Sequence, residues 1–179
     1  MSLASLKELY LDELRCLYDA ETQVIRTLPL LSEAARTPEL RQLLQNHCSE
    51  SRLHLERLQL IFTHWGERVT PRACTGMTGI VQEADDRLNQ PATQNARDAA
   101  VIGAAQRMEH YAIAAYTCAR SYALWLNRPD EARLLQETLD EDARAGRRLT
   151  EIADTFIADD APRKDLPEQR VFRPAPLTS

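Results

Sequence analysis

A chain of 179 residues, 44% hydrophobic and 27% charged, is long enough for one domain with its own core, and no apolar run reaches the roughly 20 residues of a membrane-spanning helix. The formal net charge of −5 argues against general nucleic-acid binding. The opening stretch MSLASLKELYLDELRCLYDAE has Glu and Asp too early for a secretory signal, and Cys16, Cys48, Cys74 and Cys118 fall into no CxxC or other zinc spacing, which together point to a cytoplasmic protein with reduced thiols.

In chain order, the first predicted helix starts at SLKE, where Ser5 and Glu8 fit a capping box. Its apolar positions Leu6, Leu9, Leu14, Leu17, Val24, Leu28 and Leu31 keep helical spacing, and Pro29 is expected to bend it or shift its hydrogen bonds. The second opens at TPEL with Thr37 as cap and Pro38 in the first turn, and stops at Gly66. Residues 67–95 form a long connection with one short helix, Gly79 to Leu88. Two more long helices follow, Arg97 to Leu126 and Pro129 to Ala158. The tail, 161–179, is Pro-rich without apolar period and reads as extended or disordered, apart from a bundle domain of residues 1–160. No strand signal is visible. Helix, turn, helix, long crossover, helix, turn, helix is the layout of an all-α, ferritin-like four-helix bundle, with the crossover returning the third long helix parallel to the second.

Each long helix carries polar residues in the stripe it needs for burial. At about 100° per residue, Glu21 falls between Leu14, Leu17, Val24 and Leu28. His47, Glu50 and His54 share the arc of Leu40, Leu43, Leu44, Leu58 and Ile61. Glu109 lies among Val101, Ile102, Ala105, Ala112, Ile113 and Tyr116, and Glu141 among Leu134, Thr138, Ala145, Leu149 and Ile152. One buried unpaired carboxylate costs several kcal/mol. Four at one level repel as well, and a multivalent cation is the most economical remedy. Oxygen ligands with some imidazole suit iron or manganese. The candidate metal ligands are therefore Glu21, His47, Glu50, His54, Glu109 and Glu141. The competing reading pairs each carboxylate with an Arg, exposes it at the edge of the stripe or keeps it protonated. His110 and Glu137 are flanking candidates, His64 is expected at the surface, and Tyr18 and Tyr116 in the core.

The stretches YDAETQVIRTLP, NHCSESRLHLERL, DAAVIGAAQRMEHYAIAAY and LLQETLDEDARAGRRLTEIA resemble the YciE/YciF family, bacterial stress-associated members of the ferritin-like superfamily. The resemblance spans nearly the whole chain before the tail, and AAQ..EHY.IA.Y is its most specific part. It implies a carboxylate set at Glu21, Glu50, Glu109 and Glu141, with His47 also matching. The chain departs from the family pattern at Ser49 and near Gly146, where relatives often carry acidic residues, and at Arg52, where one form has His. The usual Glu-x-x-His is absent: His47 precedes Glu50 by three residues and His54 follows it by four.

Two function classes follow. One is a di-iron or di-manganese bundle acting on oxygen or peroxide, bridged by Glu50 and Glu141 with Glu21 and Glu109 as terminal ligands, in which ferroxidase, oxidase and catalase-like outcomes stay open. The other is a non-enzymatic stress-associated protein that uses the bundle as a dimerisation or interaction module, without metal. A weaker third is haem bound at a subunit interface through Met108 or a His. A homodimer is expected, since small bundles of this kind commonly pair; no nucleic-acid or membrane partner is.

Overall fold

The Ser5 hydroxyl accepts the Glu8 backbone N–H at 3.2 Å, and from this cap α1 runs Leu6–Ala34 in the computed structural model, which describes residues 5–160. The tail from residue 161, with the expectation made for it, lies outside the described residues. Pro29 sits inside α1 without ending it. Proline has no N–H, so the Ile25 carbonyl loses its helical donor. Cys48 of α2 approaches that carbonyl instead, its thiol donating at 3.7 Å.

α2 spans Pro38–His64. Thr37 holds the N-cap position, but its hydroxyl makes no capping bond. The capping acceptor comes from another helix: the buried Asp98 carboxylate accepts the backbone N–H of Arg36 at 2.6 Å and of Thr37 at 3.0 Å, and also takes the Thr37 hydroxyl. Gly66 ends the helix in the left-handed region at φ 64°, where glycine carries no Cβ penalty.

The short helix, α3, is Thr75–Leu88 and begins a turn earlier than the expected Gly79. Two glycines make TGMTG a poor helix former, yet Met77 is fully buried there and its packing outweighs propensity. α4 runs Gln94–Trp125, opening with the Thr93 hydroxyl accepting from Ala96 N–H rather than at Arg97. The Arg97 guanidinium is turned back onto the Leu88 and Gln90 carbonyls and so binds the end of α3 to the start of α4. α5 is Pro129–Asp160. There is no strand among the described residues.

α1 packs against α2 and α4, α5 against α4 and α2, and α3 lies on α4 and α1. The core has two apolar ends. One joins Leu28, Leu31, Leu40, Leu44, Val101, Ala105, Leu149 and Ile152, the other Tyr10, Leu14, Leu58, Ile61, Tyr116, Ala123 and Leu135. α2 and α4 start at the first end and finish at the second, while α1 and α5 run the other way. α2 and α4 are therefore parallel, as a long crossover requires. This is the ferritin-like four-helix bundle that the helical layout predicts, with α3 as its accessory helix.

Asp98 joins the α1–α2 turn to α4 by three hydrogen bonds, so Asp98→Ala removes the acceptor of the Arg36 and Thr37 N–H groups and of the half-buried Thr37 hydroxyl. The expected loss is about 2–4 kcal/mol in urea denaturation, at an unchanged dependence on urea. A loss under about 0.5 kcal/mol would show that the turn holds without it.

Candidate metal centre

Between the two apolar ends lies a polar layer, to which every long helix contributes. The buried stripe of α2 is Leu40, Leu44, His47, Ser51, His54, Leu58 and Ile61, alternating by three and four residues. Its middle is thus two imidazoles one above the other, with ring centroids 6.2 Å apart. α1 brings Glu21, α4 brings Glu109, and α5 brings Asp142; all are at most 5% exposed, as are both histidines.

The contacts form two linked groups. His54 Nδ1 is 3.1 Å from Glu21 and 3.8 Å from Asp142, and its Nε2 is 3.0 Å from Glu141. His47 Nε2 is 2.8 Å from Glu109, and its Nδ1 is 3.5 Å from Glu50. The buried Tyr116 hydroxyl donates to Glu21 at 2.9 Å. Two sets of three donor atoms, each within 4.8 Å of one another, have the spacing a metal ion needs: Glu21, His54 and Asp142, and His47, Glu109 and Asp142. Asp142 belongs to both.

Of the residues singled out in the sequence, Glu21, His47, His54 and Glu109 meet in this layer. Glu50 and Glu141 lie at its rim, each beside a histidine. The Glu50 side chain is 39% exposed. Glu141 is held by Arg57, which donates through Nη1 at 2.5 Å and Nη2 at 2.8 Å. Arg57 also touches the Thr138 hydroxyl and Glu137. Asp142 was missed by the sequence reading. The buried stripe of α5 is Leu135, Leu139, Asp142, Ala145, Leu149 and Ile152, one residue and so about 100° from the stripe drawn through Leu134 and Glu141. Leu135, Leu139, Ala145 and Leu149 leave a step of six residues between Leu139 and Ala145, and Asp142 stands at its midpoint, the position at which this arc admits a further inward residue. His110 and His64 are exposed, His110 bonded to the Gln106 carbonyl of its own helix, and Met108 is buried in the apolar core.

The layer balances its charge with protons. Burial disfavours an imidazolium at His47, but Glu109 and Glu50 outweigh it and hold the ring well above its ordinary 6.5. Burial likewise opposes the charged form of His54, and Glu21 and Asp142 raise it. Burial pushes the Asp142 carboxyl well above 3.8, and the charge of Glu21 adds to that. Burial would also raise Glu21, but the His54 charge and hydrogen bond, with Tyr116, bring it below 4.5. The His47 hydrogen bond lowers Glu50, and that of Arg57 lowers Glu141. Two carboxyl oxygens stay unpaired: Glu109 Oε2 and Asp142 Oδ2 are buried and have no hydrogen-bond partner, and nor has the Ser51 hydroxyl between the two histidines on α2.

These shifts have a sign in stability. Groups held above their ordinary values (His47, His54, Asp142) stabilise fully below the unfolded values, and that gain is lost as pH rises through the folded ones. Groups held below theirs (Glu21, Glu50, Glu141) stabilise above about 4.5 and lose that as pH falls through the folded values. The contribution of the layer in metal-free protein is therefore expected to peak near about pH 5 and to fall most steeply above about pH 6.5. Melting temperature followed from pH 4 to pH 9 checks this, and His54→Gln should flatten the alkaline fall. Parallel profiles would show that the layer does not take up these protons.

Comparison with known proteins agrees with the fold. The chain is 31% identical over 154 residues to protein YciF of Escherichia coli (strain K12), covering 86% of this chain and 93% of that one. The crystal structure of the E. coli stress protein YciF superposes with a TM-score of 0.84 at 29% identity, over 87% of this chain and 99% of that one. YcfI from Rhodopseudomonas palustris gives 0.81 at 32% identity, over 83% and 95%. A two-domain Anabaena variabilis protein, with a DJ-1/ThiJ/PfpI-like and a ferritin-like domain, matches at 0.58 and 14% identity, over 88% of this chain and 39% of that one, which bears on the fold alone. The model of the family described as a domain of unknown function (DUF892) matches residues 5–162, and the chain belongs to that family, the one that includes YciF.

Proposed function

We propose that the protein binds iron or manganese in the polar layer, at up to two positions that share Asp142, and that the bound metal acts on oxygen or peroxide. The observation that carries this reading is the pair of buried, unpartnered oxygens, Glu109 Oε2 and Asp142 Oδ2. A buried carboxylate oxygen without a donor is costly, and Glu109 and Asp142 both belong to groups of residues whose donor atoms come within metal-binding spacing. Two imidazoles among carboxylates suit a divalent first-row transition metal better than calcium or magnesium.

Glu21, His54 and Asp142 would hold one ion, and His47, Glu109 and Asp142 the other. Such an ion supplies a redox couple and open coordination positions for a small oxygen species. The chain's own residues do the rest. Tyr116 orients Glu21 through its hydroxyl, and Arg57 keeps Glu141 beside His54. The apolar ends of the core keep bulk water away. The protons on His47, His54 and Asp142 occupy the positions a cation would take, so binding displaces them and tightens with pH. A stress-associated role is carried over from the E. coli relative, described as a stress protein. Leu53 and Leu60, seven residues apart on the outer face of α2 and nearly half exposed, make that face our candidate for a homodimer contact.

A second reading has its own support. His47 with Glu109, His54 with Glu21, and Arg57 with Glu141 neutralise much of the layer without metal, as a non-enzymatic structural protein requires.

Asp142→Asn separates the two. Asn has the shape of a protonated Asp, so metal-free stability should stay within about 1 kcal/mol. Under anaerobic iron(II) or manganese(II), the wild-type melting temperature should rise with metal concentration, by an amount worth about 2.7 kcal/mol at a hundred times Kd. The variant should lose most of that gain. Equal rises in both proteins, or none in either, would favour the structural reading.

A further inference from the structure

On the side of the bundle covered by α3, two sulfurs converge on one phenol. Tyr111 Oη of α4 is 2.9 Å from Cys74 Sγ and 3.9 Å from Cys16 Sγ of α1. Gly76 makes the close approach possible, because a Cβ there would stand 2.5 Å from Tyr111 Cε2. Cys74 is the N-cap residue of α3, and its backbone is fixed on both sides: its N–H donates to Asp19 at 2.8 Å, and its carbonyl accepts from Gln23 at 3.3 Å. Cys74 is buried, but residues 71–73, 75 and 76 around it are all exposed, so the sulfur lies one side chain below the surface.

Buried cysteines usually serve as small apolar side chains. Cys48, which fills the gap left by Pro29, is of that kind. Cys74 differs. The neighbouring Cys16 thiol, against the opposing effect of burial and with help from Tyr111 and the Met77 N–H, brings the Cys74 thiol down to about 6. Proximity to Cys74 and burial push Cys16 up. The shared Tyr111 hydroxyl thus sits between two thiols whose acidities are driven apart, Cys74 being the more acidic. The charged groups around the pair are Asp19, which disfavours the Cys74 thiolate, Arg72, which favours ionisation of Cys16, and Glu13 nearby.

We propose that Cys74 and Cys16 form a dithiol site that reduces small hydroperoxides, with Cys74 as the attacking sulfur and Cys16 as the resolving one. Cys74 sulfur attacks one peroxide oxygen; the S–O bond forms, the O–O bond breaks, and the leaving oxyanion takes a proton to become water or an alcohol. Cys16 sulfur then attacks the sulfenic sulfur; the S–S bond forms, the S–O bond breaks, and hydroxide leaves with the Cys16 proton as water. Two thiols have given two electrons to one hydroperoxide. The disulfide links α1 to the start of α3, and a small dithiol reductant restores it. The site shares no residue with the metal centre and does not depend on it.

The test uses full-length, chelator-treated protein and hydrogen peroxide. Peptide mass spectrometry should show a Cys16–Cys74 disulfide about 2 Da lighter than the two thiols, reversed by dithiothreitol. In Cys16→Ser a dimedone adduct should collect at Cys74, and in Cys74→Ser neither product should form. Iodoacetamide alkylation of Cys74 should change less than twofold from pH 7 to pH 9, where an ordinary thiol gains about 25-fold. Tyr111→Phe should move that profile toward the ordinary one, with the helical circular dichroism of every variant checked against wild type. Oxidation confined to the exposed Cys118, or an ordinary pH profile at Cys74, would overturn the proposal.

Discussion

Everything in this molecule is arranged around ionisable groups placed where water does not reach. Glu21, His47, His54, Glu109 and Asp142 occupy the middle of a four-helix core, and none can be charged there alone. The bundle meets that constraint with facing pairs: imidazole on carboxylate, phenol on carboxylate, guanidinium on the rim. Two apolar ends, one on each side of the layer, hold the four helices in the register that makes these pairs possible. Glu109 and Asp142 each still keep one buried oxygen without a donor.

The same constraint explains the distribution of roles on α2. Its stripe gives the interior two histidines rather than carboxylates, and these are the only groups of the layer's interior that become positive by taking protons. With His47 and His54 the layer can balance its carboxylates by protonation alone, so the proposed exchange of protons for a cation does not require the metal-free fold to carry unpaired charge.

The periphery carries a separate chemistry. α3 interrupts the long crossover and covers the junction of α1 and α4, where Tyr111 draws two cysteines together. The polar layer and the thiol pair lie on different faces of α4: Glu109 points into the bundle, while Tyr111, two residues on and so about 200° around the helix, turns toward α3. One helix thus contributes to a layer of carboxyl and imidazole groups on one face and to a sulfur pair on another without mixing them.

Sequence periodicity alone determined the four long helices, the accessory helix, the parallel return of α4 and the presence of acids and imidazoles in the core stripes, since a 3.6-residue repeat states which face must be buried. It also led to Glu21, His47, His54 and Glu109. On α5 it pointed to Glu141 and passed over its neighbour Asp142. Adjacent residues differ by about 100°, and the apolar arc of α5 is wide enough for either. Only packing against α2 and α4 set the rotation that sends Asp142 inward and leaves Glu141 to Arg57. The capping of the α1–α2 turn by Asp98, and the meeting of Cys16, Cys74 and Tyr111, join residues more than 30 positions apart. Contacts of that kind leave no local period, so the tertiary structure alone decided them.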